Sequence, residues 1–210
     1  MNKKILVPLV TPFREDESVD YEMLKKLVRY ELDSGADGLY VGGSSAECFL
    51  LTAEERKKVL ETAVRAADGA FVVANIGSIG TAVAEDFAAH AAKAGADVIS
   101  SVPPFYFAFS FSEIASYYRD LVKKTGLPMM IYNIPSNTHA KFGLGDLESL
   151  LAEEGMDYIH ARTAEKPYGQ IHLFRQGRRF SLRAGSGRRR RDRDNFQFHG
   201  RPLCRNSETV

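Results

Sequence analysis

Gly42-Gly43-Ser44-Ser45-Ala46-Glu47 sets two glycines, two hydroxyls and an acid directly after an apolar run. Glycine lets a backbone approach a ligand closely, because no Cβ intervenes. Consecutive N–H groups with hydroxyls beside them form a receptor for a small anion such as a carboxylate. Two tyrosines follow later: Tyr106 within PPFYFAF, and Tyr132 ahead of Asn133-Ile134-Pro135. A tyrosine hydroxyl beside a reacting carbonyl can shuttle a proton. Read singly, the loop is also an ordinary turn and each tyrosine an ordinary packing residue. What separates the two readings is where the secondary structure puts all three.

The apolar run at 5–10, ended by Thr11-Pro12, predicts a buried strand. Asp20 is placed to cap a helix through about residue 32, with Leu24, Leu27, Val28 and Leu32 at helical spacing. A strand is expected at 39–41, then a helix opened by Thr52 facing Glu55 in a capping box. Further strands are expected at 71–76, 98–102 and 128–132, with helices at 81–94, 111–124 and 144–153. Tyr158-Ile159-His160 begins a sixth strand. Such alternation predicts βα units and a parallel sheet. SGADGLY at 34–40 and AGADVIS at 94–100 repeat one helix-to-strand turn, with Gly at the helix end and Asp before the strand. The natural closure is a (β/α)8 TIM barrel. A doubly wound open sheet is the alternative, weakened by the lack of a G-x-G-x-x-G loop. In a barrel the loops after the strand C-termini form the active face. Ser44, Tyr106 and Tyr132 follow strands two, four and five.

The 210 residues hold no long apolar run, so no membrane span is expected, and the N-terminus does not read as a signal peptide. Cys48 and Cys204 make no disulfide framework, and a cytoplasmic location is the default. Five and a half βα units fill residues 1–160, whereas a closed barrel takes about 250. The barrel is therefore expected to be incomplete, followed by an atypical tail. Residues 1–160 carry 10 Lys and 5 Arg against 23 acidic residues, a net of −8, while 161–210 carry 1 Lys and 12 Arg against 4, a net of +9. Residues 1–160 read as a partial barrel domain and 161–210 as an Arg-rich segment with no βα period.

VPLVTPF, GLYVGGSSAE, TAEER, PPFYFAFSF and GLPMMIYNIP occur in the order and spacing of the pyruvate-dependent class I aldolases, which the chain resembles over residues 1–160. That family includes N-acetylneuraminate lyase and dihydrodipicolinate synthase, and GGSSAE with PFYFAFSF looks more like the lyase. The resemblance implies a Schiff base between a barrel lysine and a 2-keto acid, with no metal or organic cofactor. It implies that Gly43, Ser44 and Ser45 hold the substrate carboxylate and that Tyr132 shuttles protons. Tyr106 matches an aromatic residue offered across a subunit contact to complete a hydroxyl relay with Ser44 and Tyr132, in a homotetramer. The implied reaction is cleavage of N-acetylneuraminate, or a related sugar acid, to pyruvate and an aldehyde; condensation of pyruvate with an aldehyde is the alternative. The expected partners are a small-molecule 2-keto acid and further copies of the chain, with no membrane.

One element of that pattern is missing. The family's K-x-T motif lies about 28 residues after the tyrosine, where this chain has His160, Ala161, Arg162 and Thr163. Lys141 sits in a loop, and Lys166 matches only if the strand is re-registered. Two explanations compete. The four arginines at 188–191 are what a purine-rich glutamate cluster yields out of frame, so the reading frame is expected to be disturbed near residue 161. The rival is a native basic tail that binds nucleic acid by counterion release; a non-catalytic fragment that keeps the carboxylate loop is a separate alternative. Sequencing of the coding DNA is expected to show the disturbance. A clean single frame together with an intact mass of 23.3 kDa would refute it.

Overall fold

The computed structural model describes residues 5–162, with the strand backbones at 170–176 and 179–181. Six parallel strands run in sequence order: β1 (Leu6–Pro8), β2 (Gly38–Val41), β3 (Phe71–Asn75), β4 (Val98–Ser101), β5 (Met129–Asn133) and β6 (Met156–Arg162). They are joined by α1 (Tyr21–Asp33), α2 (Ala53–Ala67), α3 (Thr81–Ala94), α4 (Phe111–Thr125), the short α5 (Pro135–Thr138) and α6 (Leu144–Ala152). The result is a curled partial TIM barrel, as the βα alternation implies. Two strands beyond the parallel set, β7 (Gln170–Gln176) and β8 (Arg179–Ser181), pair antiparallel to β6 and to each other. An antiparallel join needs no crossover helix, which agrees with the loss of βα period after residue 161. The arginine run at 188–191 lies outside the described residues.

Local chemistry sets the element ends. The Asp20 carboxylate accepts from Glu22 N at 3.1 Å and Met23 N at 2.9 Å, capping α1. Thr52 and Glu55 form the expected capping box, and Ser110 with Glu113 forms a second at the start of α4. These side chains satisfy N–H groups that a helix leaves without partners. The repeated Gly-Ala-Asp turn has a double purpose. Gly35 and Gly95 take φ of +100° and +90° to leave their helices. The aspartates then clamp the preceding parallel strand: Asp37 Oδ2 accepts from Ile5 N at 2.6 Å, and Asp97 Oδ2 from Val72 N at 2.8 Å. β1 ends at Pro8 rather than continuing to residue 10, although Leu9 N still donates to Tyr40 O at 2.9 Å.

Side chains alternate across each strand, and the two faces differ in character. Leu39, Val41, Val72, Ala74, Ile99, Met129, Ile131 and Ile159 point outward into the main core against the helices, with Leu24, Val28, Ala63, Tyr118, Leu121 and Leu150. Inward lie Val73, Val98 and Met130, bordered by Leu6, Tyr40, Phe71 and Tyr158. Tyr132, Val102 and Ile134 form a further inner group with Tyr40 and Phe105 nearer the strand C-termini. The helical layer carries the burial, which frees the inner face for polar and aromatic groups.

Close strand contact makes Gly38 sensitive. A Cβ there would overlap the Phe71 carbonyl oxygen and sit 2.9 Å from Leu6 Cδ2. We expect Gly38→Ala to destabilise the fold by about 1–3 kcal/mol through overpacking. Gly145→Ala, in α6 with open space around it, should be neutral or stabilising by a few tenths of that. Urea unfolding of both variants checks the contrast, and equal midpoints would contradict it.

Candidate functional site

The loop after β2 is built from several anchors. Gly42, at φ +71°, turns the chain, and its carbonyl accepts from Asn75 Nδ2 at 2.6 Å. Gly43 follows in extended conformation, and a Cβ on it would fall 2.8 Å from Tyr40 Cε1. The Tyr40 ring thus lies directly beneath Gly43 and leaves space for hydrogen alone. Ser44–Ala46 then form one 3-10 turn, with Ala46 N donating to Gly43 O at 3.0 Å. Thr11 Oγ1 donates to Ala46 O at 2.8 Å and ties the turn to the segment after β1. Ser44 and Ser45 head the turn, where the first N–H groups have no acceptor within it. Among the described residues, neither serine hydroxyl makes a hydrogen bond. The loop therefore presents two hydroxyls and unused N–H donors together, the donor set that a carboxylate requires.

Tyr132 stands on β5 facing inward, nearly buried. Its ring meets Tyr40 edge-on, with centroids 6.2 Å apart, and His160 at 4.8 Å. Tyr132 and His160 are register partners on adjacent parallel strands, so they share one face. Tyr40 is itself fixed: its hydroxyl donates to Ser100 Oγ at 2.9 Å, and Ser100 Oγ donates to Met130 O at 2.9 Å. A row of contacts thus runs from Gly43 through Tyr40 and Tyr132 to His160, across strands β2, β5 and β6. Burial pushes the Tyr40 phenol far above its usual range. The outer layer holds a similar group: Tyr117 bonds Ser101 Oγ at 2.8 Å, and burial pushes its phenol up to about 12.

A second anchor braces the loop from behind. The Arg56 guanidinium, on α2, donates to Gly77 O at 3.1 Å and Asn75 O at 3.2 Å and lies 4.1 Å from the Phe87 ring centroid. Asn75, whose carbonyl it holds, is the residue that grips Gly42. Cys48 Sγ lies 3.6 Å from the same Asn75 amide, and burial pushes its thiol pKa up.

Tyr106 is placed otherwise. It is 79% exposed, at φ +83°, and packs on Phe107 at 5.0 Å between centroids. No hydrogen bond joins it to Ser44 or Tyr132 among the described residues. The structure therefore brings Gly43, Ser44, Ser45 and Tyr132 to one end of the sheet through Tyr40, and leaves Tyr106 projecting from the surface.

Every described lysine lies on α1, α2, α3 or α4, or, for Lys141, in the loop before α6. None stands on a strand. The β6 position opposite Tyr132 is His160, and Lys166 lies outside the described residues. Sequence alone did not point to Tyr40 or Ser100, and His160 entered only as the residue found where the family lysine was expected. A polar Ser100 inside the apolar 98–102 run and the inward parity of Tyr40 were the available signals.

The dihydrodipicolinate synthetase family model matches residues 1–167. The chain is 38% identical over 163 residues to N-acetylneuraminate lyase of Enterobacter sp. (strain 638), an alignment that takes in 77% of this chain and 55% of the relative. It thus spans about half the length of the curated relatives it matches. Among solved structures, N-acetylneuraminate lyase from Fusobacterium nucleatum superposes with a TM-score of 0.73 at 36% identity, over 78% of this chain and 57% of that one. Dihydrodipicolinate synthase from Aquifex aeolicus does so with 0.74 at 33% identity, over 78% and 56%.

The buried phenols have a consequence for stability. Both are raised above the unfolded value of about 10, so the unfolded chain releases their protons first. Their contribution is intact below pH 10 and is lost as pH rises toward 12. We expect the urea midpoint to fall steeply between pH 10 and 12, and less steeply in Tyr117→Phe. Ultraviolet titration showing Tyr40 and Tyr117 ionising near pH 10 in the folded chain would contradict this.

Proposed function

This chain belongs to the dihydrodipicolinate synthetase family, whose members are pyruvate-dependent lyases that work through a lysine Schiff base, and from that premise we propose that residues 1–160 form its keto-acid-binding part. The carrying observation is the Ser44–Ser45 turn, with its unengaged hydroxyls and free N–H groups, held over Tyr40 beside the inward Tyr132. In this reading the carboxylate of a 2-keto acid is received by Gly43, Ser44 and Ser45, and the keto group points down toward Tyr132, which moves the proton. The 38% identity to an N-acetylneuraminate lyase supports N-acetylneuraminate, or a related sugar acid, as the substrate of the whole activity, yielding pyruvate and an aldehyde. The similarity to dihydrodipicolinate synthase from Aquifex aeolicus supports aldehyde condensation as the second reading.

The oligomer belongs to the same proposal. Tyr106 is 79% exposed and bonds neither Ser44 nor Tyr132 among the described residues, which supports its joining that pair from a neighbouring copy. The imine is the step for which the described residues supply no amine. His160 stands where a β6 lysine would face Tyr132, so these residues bind the keto acid through hydrogen bonds alone.

Calorimetric titration with pyruvate is expected to show saturable binding. Ser44→Ala and Ser45→Ala should each weaken it about tenfold, or ~1.4 kcal/mol, the range for hydrogen bonds to a charged group. Absence of binding to the unmodified chain, or affinity in both variants equal to that of the unmodified chain, would defeat the proposal. Borohydride reduction with pyruvate should leave every lysine in residues 1–160 unlabelled, and an adduct mapped to Lys141 would contradict that assignment.

A further inference from the structure

His160 and Tyr132 form a pair that the Schiff-base route does not use. They are register partners on β6 and β5, their rings meet at 4.8 Å with an interplanar angle of 64°, and both face the inner side of the sheet. Tyr40 connects them to the carboxylate loop, since its ring lies under Gly43 and edge-on to Tyr132. An imidazole is the side chain whose ordinary pKa makes it a base near neutral pH. A phenol beside it is a hydrogen-bond donor for a developing oxyanion.

We propose that His160 is a catalytic base that enolises a 2-keto acid bound without any covalent bond. The inference rests on the keto-acid reading of the Ser44–Ser45 loop. With the carboxylate held there, a ring nitrogen of His160 removes a proton from C3 of pyruvate. The C–H electron pair becomes the C2=C3 bond, and the carbonyl π pair moves onto the keto oxygen, which accepts a hydrogen bond from the Tyr132 hydroxyl. Return of a proton from the imidazolium to C3 regenerates pyruvate. Nothing is oxidised or reduced, and no co-reactant enters. In deuterium oxide the returning proton is solvent-derived, so the visible outcome is loss of the pyruvate methyl proton signal. The substrate class is a 2-keto acid with at least one hydrogen on C3.

The test follows that signal by proton NMR with the full-length chain and pyruvate. Exchange is expected at least a hundredfold above buffer containing no protein, in the range that a positioned base supplies. His160→Asn and His160→Gln should each reduce the maximal rate more than tenfold and leave the pyruvate dissociation constant within about threefold. Ser44→Ala should instead raise the pyruvate concentration needed for half-maximal exchange. Using two histidine variants, each checked for native-like binding, separates loss of the base from loss of the fold. Prior treatment with borohydride and pyruvate should leave the exchange rate unchanged. Exchange at the buffer rate, exchange retained in both histidine variants, or exchange abolished by borohydride each overturns the proposal. Failure to bind pyruvate at all defeats the keto-acid reading itself. Binding without exchange defeats only the role of His160.

Discussion

Beneath Gly43 there is room for a hydrogen and nothing larger, because the Tyr40 ring fills the space. That contact couples two parts of the molecule that sequence leaves far apart. The ring supports the turn that presents Ser44 and Ser45, and its edge sets the position of Tyr132 on a strand 90 residues later. Tyr40 stays in place because its hydroxyl is anchored to Ser100, which is anchored in turn to the backbone of β5. A buried phenol without such a partner would carry the desolvation cost of an unmade hydrogen bond. The anchored one spans β2, β4 and β5 and gives the inner face a fixed geometry.

The division of labour between the two faces makes this arrangement possible. Outward strand residues are aliphatic and meet the helices in one continuous core. The inner face carries only two small apolar clusters and can also hold Tyr40, Asn75, Ser100, Tyr132 and His160. Arg56 shows the same logic from outside. A half-buried guanidinium bonded to carbonyl oxygens and stacked on Phe87 fixes the end of β3, and Asn75 at that end grips the carbonyl of Gly42. Two independent braces, one aromatic and one cationic, thus converge on a loop of six residues.

Much of this was legible in sequence because it is local. Asp20 and Thr52 announce their helices by cap chemistry that needs only three residues of context, and the Gly-Ala-Asp repeat announces two equivalent turns. The Ser44–Ser45 loop and Tyr132 could be read by type and by order along the chain. What escaped depends on contacts between distant strands. Nothing near Tyr40 says that its ring supports Gly43, and nothing near His160 says that its partner is Tyr132. The second clamp role of Asp37 and Asp97, bonding the N–H of a neighbouring strand, is likewise a property of register. Tyr106 is exposed and bonds neither Ser44 nor Tyr132 among the described residues, so what it meets is not legible within one chain.

The central claim is that the inner face recognises a 2-keto acid without an imine from residues 1–160. Carbon NMR of [2-13C]pyruvate added to the full-length chain reads this directly. The account requires saturable broadening of the ketone carbon signal, relieved in Ser44→Ala, with no resonance of an imine carbon on any lysine up to residue 160. An imine signal mapped to one of those lysines, or a ketone signal unaffected by the protein, would contradict it.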